Sequence, residues 1–422
     1  MPAQRSNGSA ADDNDTRRPE RTMDTAKKNV GVLAGCQAVM QVKMSMVIAV
    51  TGLAGYAIAP DPAWATLPIT IYVLGSALAT LPSGGYMKRH GRRAGFGHGA
   101  RWGIAGGLTS ALALYLESFA LLCAGAMLLG VFVAFGRAYR FAAADAAPVS
   151  FRAKAISLVL AGGLVGGVLG PNVANWTKEL WPGISFGATF LAMSVLAALT
   201  LLLLRPLDIP PLSAEQRAER GRPMRVIMRQ PAFIVACAAS AIGYGVMNLL
   251  MVATPLAMHH HDYPFAHTAF VLEWHLIGMF APSFFTGHLI TRYGTLTIMA
   301  AGALLNLVCI GIALSGESVW HFWAALFFLG VGWNFLFTSG STLLTETYQP
   351  SEREKTQATH DFITFGVMAL TSLLSGAMLA QQGWGWHAIN YGSLPFIALV
   401  VVAILWLAVQ RRSLARAGDS SA

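Results

Sequence analysis

A handful of polar side chains sit inside long apolar runs, and their types and spacing suggest chemistry. Lys43 stands in Val42-Lys43-Met44, inside an apolar run that opens at residue 30. At 1.5 Å per residue it lies about 20 Å along a helix from that start. An ammonium so deep cannot easily snorkel, and it needs water, an acid or an anionic ligand. Substrate binding or proton coupling is one reading, and a structural pair with an acid is the other. Glu273 and His275, in Leu272-Glu273-Trp274-His275, are candidates for proton coupling. Two residues apart, they point to different faces of a helix. A polar contact with a neighbouring helix is the alternative. Tyr244 and Asn248 are spaced i and i+4 and share a face, while Trp333, Asn334 and Phe337 form a second aromatic and amide group. Such groups hold a flat organic solute by stacking and hydrogen bonds, or simply pack. Arg140 reaches the mouth of a cavity, or belongs to an interfacial ion-pair cluster with Arg137 and Asp145. Asp361, next to His360, caps a helix or serves as a gate partner.

Other constellations are weak. His259-His260-His261 are adjacent, so their side chains diverge, and no metal site is expected. Cys36, Cys123, Cys237 and Cys309 stand singly in apolar runs and read as small buried residues. No nucleotide-binding loop or nucleophile constellation appears, so neither a cofactor nor an enzymatic activity is expected.

These residues must be carried by membrane helices. The 422-residue chain is 55% hydrophobic and only 12% charged, against about 25% charged in soluble domains. The net charge of +9 is spread over the ends of apolar runs, which argues for a bilayer and against nucleic acid. Twelve segments approach the roughly 20 apolar residues that a span requires. They are 30–58, 67–86, 98–116, 119–142, 155–175, 184–204, 231–257, 267–290, 296–315, 319–345, 357–380 and 386–409. Residues 1–29 read as a disordered tail, 205–230 as a central loop and 411–422 as a second tail, leaving bundles at 30–204 and 231–410. Lys and Arg cluster in alternate loops, and the opposite side holds only Lys178. That bias puts both termini in the cytoplasm.

One pattern occurs twice. Gly84 to Arg93, after the second apolar run, and Gly287 to Gly294, after the eighth, both read glycine, a few residues, arginine, one residue, glycine. The repeat implies a duplicated bundle with a substrate path between its halves. Repeat logic pairs Arg92 with Asp145 and Arg292 with Glu346, as partly exposed latches worth about 1 kcal/mol each.

The loop Gly84, Arg89, Gly91, Arg92, Arg93 resembles the signature of major facilitator superfamily transporters, with Lys88 where the family carries an acid. Gly166, Gly170 and Pro171 partly resemble the family's antiporter motif, although Ala174 and Asn175 replace its paired glycines and Ala126 its arginine. The resemblance implies an all-α membrane protein with twelve transmembrane helices in two pseudo-symmetric six-helix bundles. It further implies a central cavity lined by helices 1, 4, 7 and 10, with Arg89, Gly91, Arg92, Arg93, Asp145, Arg292, Glu346 and Asp361 gating it. Tyr139 to Asp145 and Met279 to Gly287 look like a bacterial branch, with kinship to bacterial riboflavin carriers. The expectation is a monomeric, proton-coupled secondary carrier of a small organic solute in a bacterial inner membrane. The lipid bilayer, protons and a small-molecule substrate are its partners. Riboflavin or a similar vitamin is an alternative substrate. A non-transporting receptor or scaffold on the same fold is the rival of another class.

Overall fold

A computed structural model of the chain describes residues 12–61, 64, 67–210, 219, 221–379 and 385–419. The backbone is helical almost throughout, as it must be where lipid offers no hydrogen-bond partner. In the first half the helices are α1 (Asp12–Ile58), α2 (Leu67–His90), α3 (Arg92–Tyr115), α4 (Phe119–Gly136), α5 (Tyr139–Asp145), α6 (Arg152–Thr177) and α7 (Gly187–Leu203). A short α8 (Met224–Met228) follows. The second half holds α9 (Pro231–His260), α10 (Phe265–Phe280), α11 (Ser283–Tyr293), α12 (Thr295–Ser315), α13 (Val319–Leu344), α14 (Arg353–Leu379) and α15 (Gly385–Asp419).

Several boundaries differ from the sequence reading. The first helix begins at Asp12, well ahead of residue 30, and α15 runs past 409. The run 119–142 is broken between α4 and α5 at Arg137-Ala138. The run 267–290 is broken between α10 and α11 at Ala281-Pro282, where proline removes a backbone donor. Asp361 caps nothing, because α14 starts eight residues earlier, at Arg353. Residues 211–218, 220 and 380–384, parts of the expected central loop and of the last helical connection, lie outside the described residues.

Among the described residues eight helices are long and apolar enough to cross a membrane. Gly187–Leu203 and Phe270–Phe280 are shorter apolar helices. The expected spans 98–116 and 357–380 are not among the eight: α3 buries Gly99, Gly103, Gly106 and Gly107 and carries Arg101, and α14 opens on a polar stretch that includes His360 and Asp361. Buried apolar side chains form two large clusters. One draws on residues 26–207, and the other on residues 227–407 with Phe141, Ala144, Ile156 and Leu160 joining from the first half. On the outside, α2 exposes Leu74, Leu78 and Leu81, and α15 exposes Val402, Leu405 and Val409, apolar faces suited to lipid.

The halves meet where α2 packs on α14 and where α6 packs on α10, α11 and α13. The repeated glycines explain both. A Cβ at Gly84 would come within 2.9 Å of the Ala358 Cβ and 3.0 Å of the Glu354 carbonyl oxygen on α14. A Cβ at Gly287 would come within 2.6 Å of the Lys154 Cα and 2.7 Å of the Ala153 carbonyl oxygen on α6. The second glycine of each repeat turns the chain between helices. Gly91 has φ 85° and Gly294 has φ 87°, a conformation that a side chain disfavours. The glycine-rich face of α6 works on two sides. Gly162, Gly166 and Gly170 meet α1 at Ala34, Gln41 and Ser45, while Gly163 meets Phe280 of α10.

Gly287→Ala is therefore expected to destabilise the protein by about 1–3 kcal/mol, since backbone, not a flexible side chain, fills the space. Gly85→Ala, a neighbour whose Cβ would meet nothing within 4 Å, is expected to stabilise the helix by up to about 1 kcal/mol. Melting temperatures in detergent micelles check both.

Candidate functional site: a charge lock beside an aromatic wall

The polar contacts between the halves gather at the arginine-rich end. Arg92 opens α3 directly after the turn at Gly91, and its side chain is 1% exposed. Its Nη2 donates to Asp145 Oδ2 at 2.9 Å and to Gln357 Oε1 at 2.5 Å, and its Nε lies 3.6 Å from Glu354 Oε1. Asp145, the last residue of α5, also accepts from the Tyr348 hydroxyl at 2.9 Å and from Gln357 Nε2 at 3.0 Å. Glu354, Gln357 and Asp361 stand at i, i+3 and i+7, so α14 presents them as one stripe.

Asp361 makes the second half of the lock. It pairs with Arg140 Nη2 in a close buried contact, while Arg140 Nε donates to Ser341 Oγ at 3.2 Å and Nη1 to the Arg137 carbonyl at 2.7 Å. The helix break at Arg137-Ala138 leaves that carbonyl open to a side-chain donor. A buried ion pair offsets its desolvation only when geometry and surrounding hydrogen bonds are good. Arg140 meets that condition with three partners.

Beyond the helices a clamp ties the central loop to the second half. Glu352 takes Arg222 Nε at 2.9 Å, Nη2 at 2.6 Å and the Arg222 backbone N–H at 2.6 Å. The hydrogen bonds from Arg222 hold the Glu352 carboxyl down at about 2, well below its ordinary 4.5.

Next to the lock stands a wall of rings. The Tyr244 ring centroid lies 5.3 Å from Trp333, 5.5 Å from Phe337 and 5.2 Å from Phe365, each near edge-to-face. Trp333 and Phe337 stack at 5.1 Å. The guanidinium of Arg137 covers Phe365 at 3.5 Å and that of Arg140 covers Phe337 at 4.6 Å. Tyr244, Phe365 and Arg137 are partly exposed, whereas Trp333 and Phe337 are buried behind them. Three buried donors here have no hydrogen-bond partner: Trp333 Nε1, Arg137 Nη1 and the hydroxyl of Tyr72, which lies within electrostatic reach of Arg137 and Tyr244. Unpaired buried donors are costly, and a ligand that accepts from them relieves the cost.

A sequence profile of the Major Facilitator Superfamily matches residues 32–279 and 240–421. The chain belongs to the Major Facilitator Superfamily. It is similar to the riboflavin transporter RfnT of Brucella anthropi, at 40% identity over 382 residues, 90% of this chain and 96% of that protein. YddS of Bacillus subtilis, an uncharacterised MFS-type transporter, is 28% identical over 415 residues, 94% of each chain. Among solved structures, the transporter FucP in its outward conformation matches with a TM-score of 0.72 at 14% identity, over 89% of this chain and 98% of that one. The proton:xylose symporter XylE matches with a TM-score of 0.74 at 14% identity, over 91% and 95%. At those identities the structures speak for the fold alone. The protein is thus a transporter of this superfamily, and its kinship runs to the riboflavin carriers.

Several residues that the sequence singled out in this superfamily transporter lie elsewhere. Lys43 does not reach the junction. It is 2% exposed inside the first half, and its Nζ is 3.9 Å from the Phe132 ring centroid. Gly103 makes the room, since a Cβ there would stand 2.7 Å from Nζ. Among the described residues no acid pairs with it, and the Phe132 ring face is the contact of Nζ. Asn248 ties α9 to α14 through the Met368 carbonyl at 3.2 Å. Asn334 repairs the α10–α11 break, donating to the Met279 carbonyl at 2.7 Å and Ser283 Oγ at 2.5 Å and accepting from Thr286 at 2.7 Å. Glu273 is exposed, whereas His275 is fully buried with Nδ1 on the Leu326 carbonyl at 2.7 Å.

The latches are unequal. Arg92 meets Asp145, but as a buried hub rather than a partly exposed pair. Arg292 does not meet Glu346: it lies over the Tyr293 ring at 5.3 Å, and Glu346 takes Arg411 at 2.6 Å. In the repeat, Thr295 stands where Arg92 stands in the first half, so the second loop lacks the anchoring charge. Arg89 and Arg93 are exposed on the loop surface. Tyr72, Phe365, Gln357, Glu354 and Tyr348 were missed. The i, i+3, i+7 spacing of Glu354, Gln357 and Asp361 was the available signal.

Arg92→Ala strands Asp145, Glu354 and Gln357, and breaking such a buried pair costs about 3–5 kcal/mol. Uptake and melting temperature are both expected to fall. The Arg222–Glu352 clamp has a depressed folded pKa. It contributes fully above about 4.5 and is lost as pH falls from there toward about 2. Glu352→Gln is expected to remove that part of the acid sensitivity in melting curves recorded against pH.

Proposed function

We propose that the protein carries riboflavin, or a flat vitamin much like it, inward across a bacterial inner membrane in company with protons. On this reading two six-helix bundles, 30–204 and 231–410, rock around the wall and lock, with both termini in the cytoplasm and the monomer as the working unit. The observation that carries it is the aromatic wall with its three unsatisfied donors, built at the meeting of the halves. A tricyclic ring with carbonyl and ring-nitrogen acceptors along one edge suits both the ring faces and the donors. The relationship to RfnT supports the same substrate. The lock then closes the cytoplasmic end, because the Lys- and Arg-rich loops mark that side.

Labelled riboflavin is expected to accumulate in proteoliposomes when the outside is acidic, and a protonophore should abolish accumulation. Binding without uptake would favour the receptor reading. Tyr244→Leu removes the central ring, and stacking of about 0.5–1.5 kcal/mol corresponds to up to about tenfold weaker binding, read by quenching of riboflavin fluorescence. For orientation, Lys178→Cys should be labelled from outside whole cells and Arg225→Cys only from inside.

A further inference from the structure

We propose that His360 is the proton-binding group of the lock: its protonation releases Arg140 from Asp361 and opens the cytoplasmic end. This rests on the proton-coupled reading above, and it assigns that coupling to a residue other than Glu273 or His275. His360 is fully buried on α14, one residue before Asp361. Its Nδ1 lies 3.1 Å from Asp361 Oδ1, the same oxygen that receives Arg140 Nη2. One carboxylate oxygen thus serves the imidazole of its own helix and the guanidinium of the opposite half.

The other ring nitrogen is unsatisfied. Nε2 is buried and makes no hydrogen bond, although the Ala236 carbonyl of α9 lies beside the ring. With the hydrogen on Nδ1 directed at the carboxylate, Nε2 holds a lone pair. An acceptor then faces an acceptor, and a proton on Nε2 supplies the missing donor. Phe141 of α5 closes the ring edge-on at 5.9 Å.

The charges around the imidazole decide the consequence. From the first half come Arg140 and Arg137, and from α14 itself comes Asp361. From α9, Cys237 and Tyr244 lie within electrostatic reach of Asp361. Ser341 of α13 contributes a hydroxyl to Arg140, and Thr80 and Ser83 of α2 carry no charge. A neutral histidine leaves two guanidiniums around one carboxylate. An imidazolium makes three cations around that carboxylate. It competes for Oδ1 and repels Arg140, with little water to screen either effect. Separation of α5 from α14 hydrates all four groups, so proton binding and opening favour each other.

The arrangement also has an exit and a link to substrate. A cavity of about 10 Å³ lies among Arg92, Glu354, Gln357 and Asp361, about the room one water needs. It reaches Asp361, the carboxylate of the pair, with Arg92 and Glu354 of the lock also on its wall. Phe365 of the wall stands one turn from Asp361 under Arg137, and Phe337 lies under Arg140. A solute on the wall therefore touches the rings on which both lock arginines rest.

The test reads the gate without substrate. Spin labels at Val149→Cys and Tyr293→Cys, in full-length protein with its four native cysteines replaced by alanine, report the distance between the halves at the arginine-rich end. Lowering pH from 8 to 5.5 is expected to raise the separated population several-fold in the otherwise native protein. His360→Gln, which keeps a donor for Asp361 but cannot take the proton, should stay closed throughout. His360→Arg, charged at both pH values, should be open already at pH 8. No pH response in the parent, an unchanged response in His360→Gln, or a closed gate in His360→Arg at pH 8 would each overturn the assignment. In parallel, His360→Gln, held closed, should lose riboflavin exchange and gradient-driven accumulation alike, each at least tenfold. A pH-driven gate in a protein that carries no riboflavin would refute the substrate and leave the proton site standing.

Discussion

The structure depends on one constraint: charged groups that join the two halves are held out of water. Arg92 and Arg140 reach from the first half, and Asp145, Glu354, Gln357 and Asp361 complete their coordination. In a medium that screens poorly, each partner makes the others necessary. Such a junction has few intermediate arrangements. It is either closed with its hydrogen bonds made or separated with its charges hydrated. A transporter of this superfamily needs an element with two discrete states, and a buried charge junction supplies one.

Glycine makes the junction possible. Gly84 brings α2 onto α14, and Gly287 brings α11 onto α6, at distances that no Cβ would allow. Without those approaches Arg92 would not reach Gln357, and Ser157 of α6 would not accept the Gly287 N–H at 3.0 Å. Gly91 and Gly294 then turn the chain at nearly equal φ. The repeat is therefore structural in both halves and electrostatic in only one, since Arg92 has no basic counterpart in the second loop. An asymmetric set of charges thus stands on a repeated frame of glycines.

The aromatic wall and the lock are physically continuous. Arg137 and Arg140 each lie on a ring of the wall, and Arg140 also holds Asp361. Anything that shifts Phe337 or Phe365 shifts the packing of a lock arginine. On the proposed function, coupling needs no long pathway, because wall and lock share side chains.

Much was legible in the sequence, and the reasons are physical. A low charged fraction, apolar run lengths and the Lys/Arg bias are set by the bilayer, which acts on every residue locally. The duplicated glycine pattern was visible because backbone turns and close helix contacts each demand glycine. Arg92 was paired with Asp145 from repeat logic, and Tyr244 was named in one group with Trp333 and Phe337 in another, while their meeting in one wall came from the fold. Tertiary structure decided the rest. Lys43 has an alarming depth in one dimension, yet Gly103 and Phe132, 60 and 89 residues away, give it a dry berth that no local pattern announces. Asn334 looked like a ligand group and proved to mend a proline break on another helix. Asp361 and His360 read from sequence as a helix cap or a gate partner, and the start of α14 at Arg353 removes the cap. A polar residue in a membrane helix announces that it needs a partner. Which partner it finds depends on how the helices are rotated and apposed, and that is a property of the packed fold.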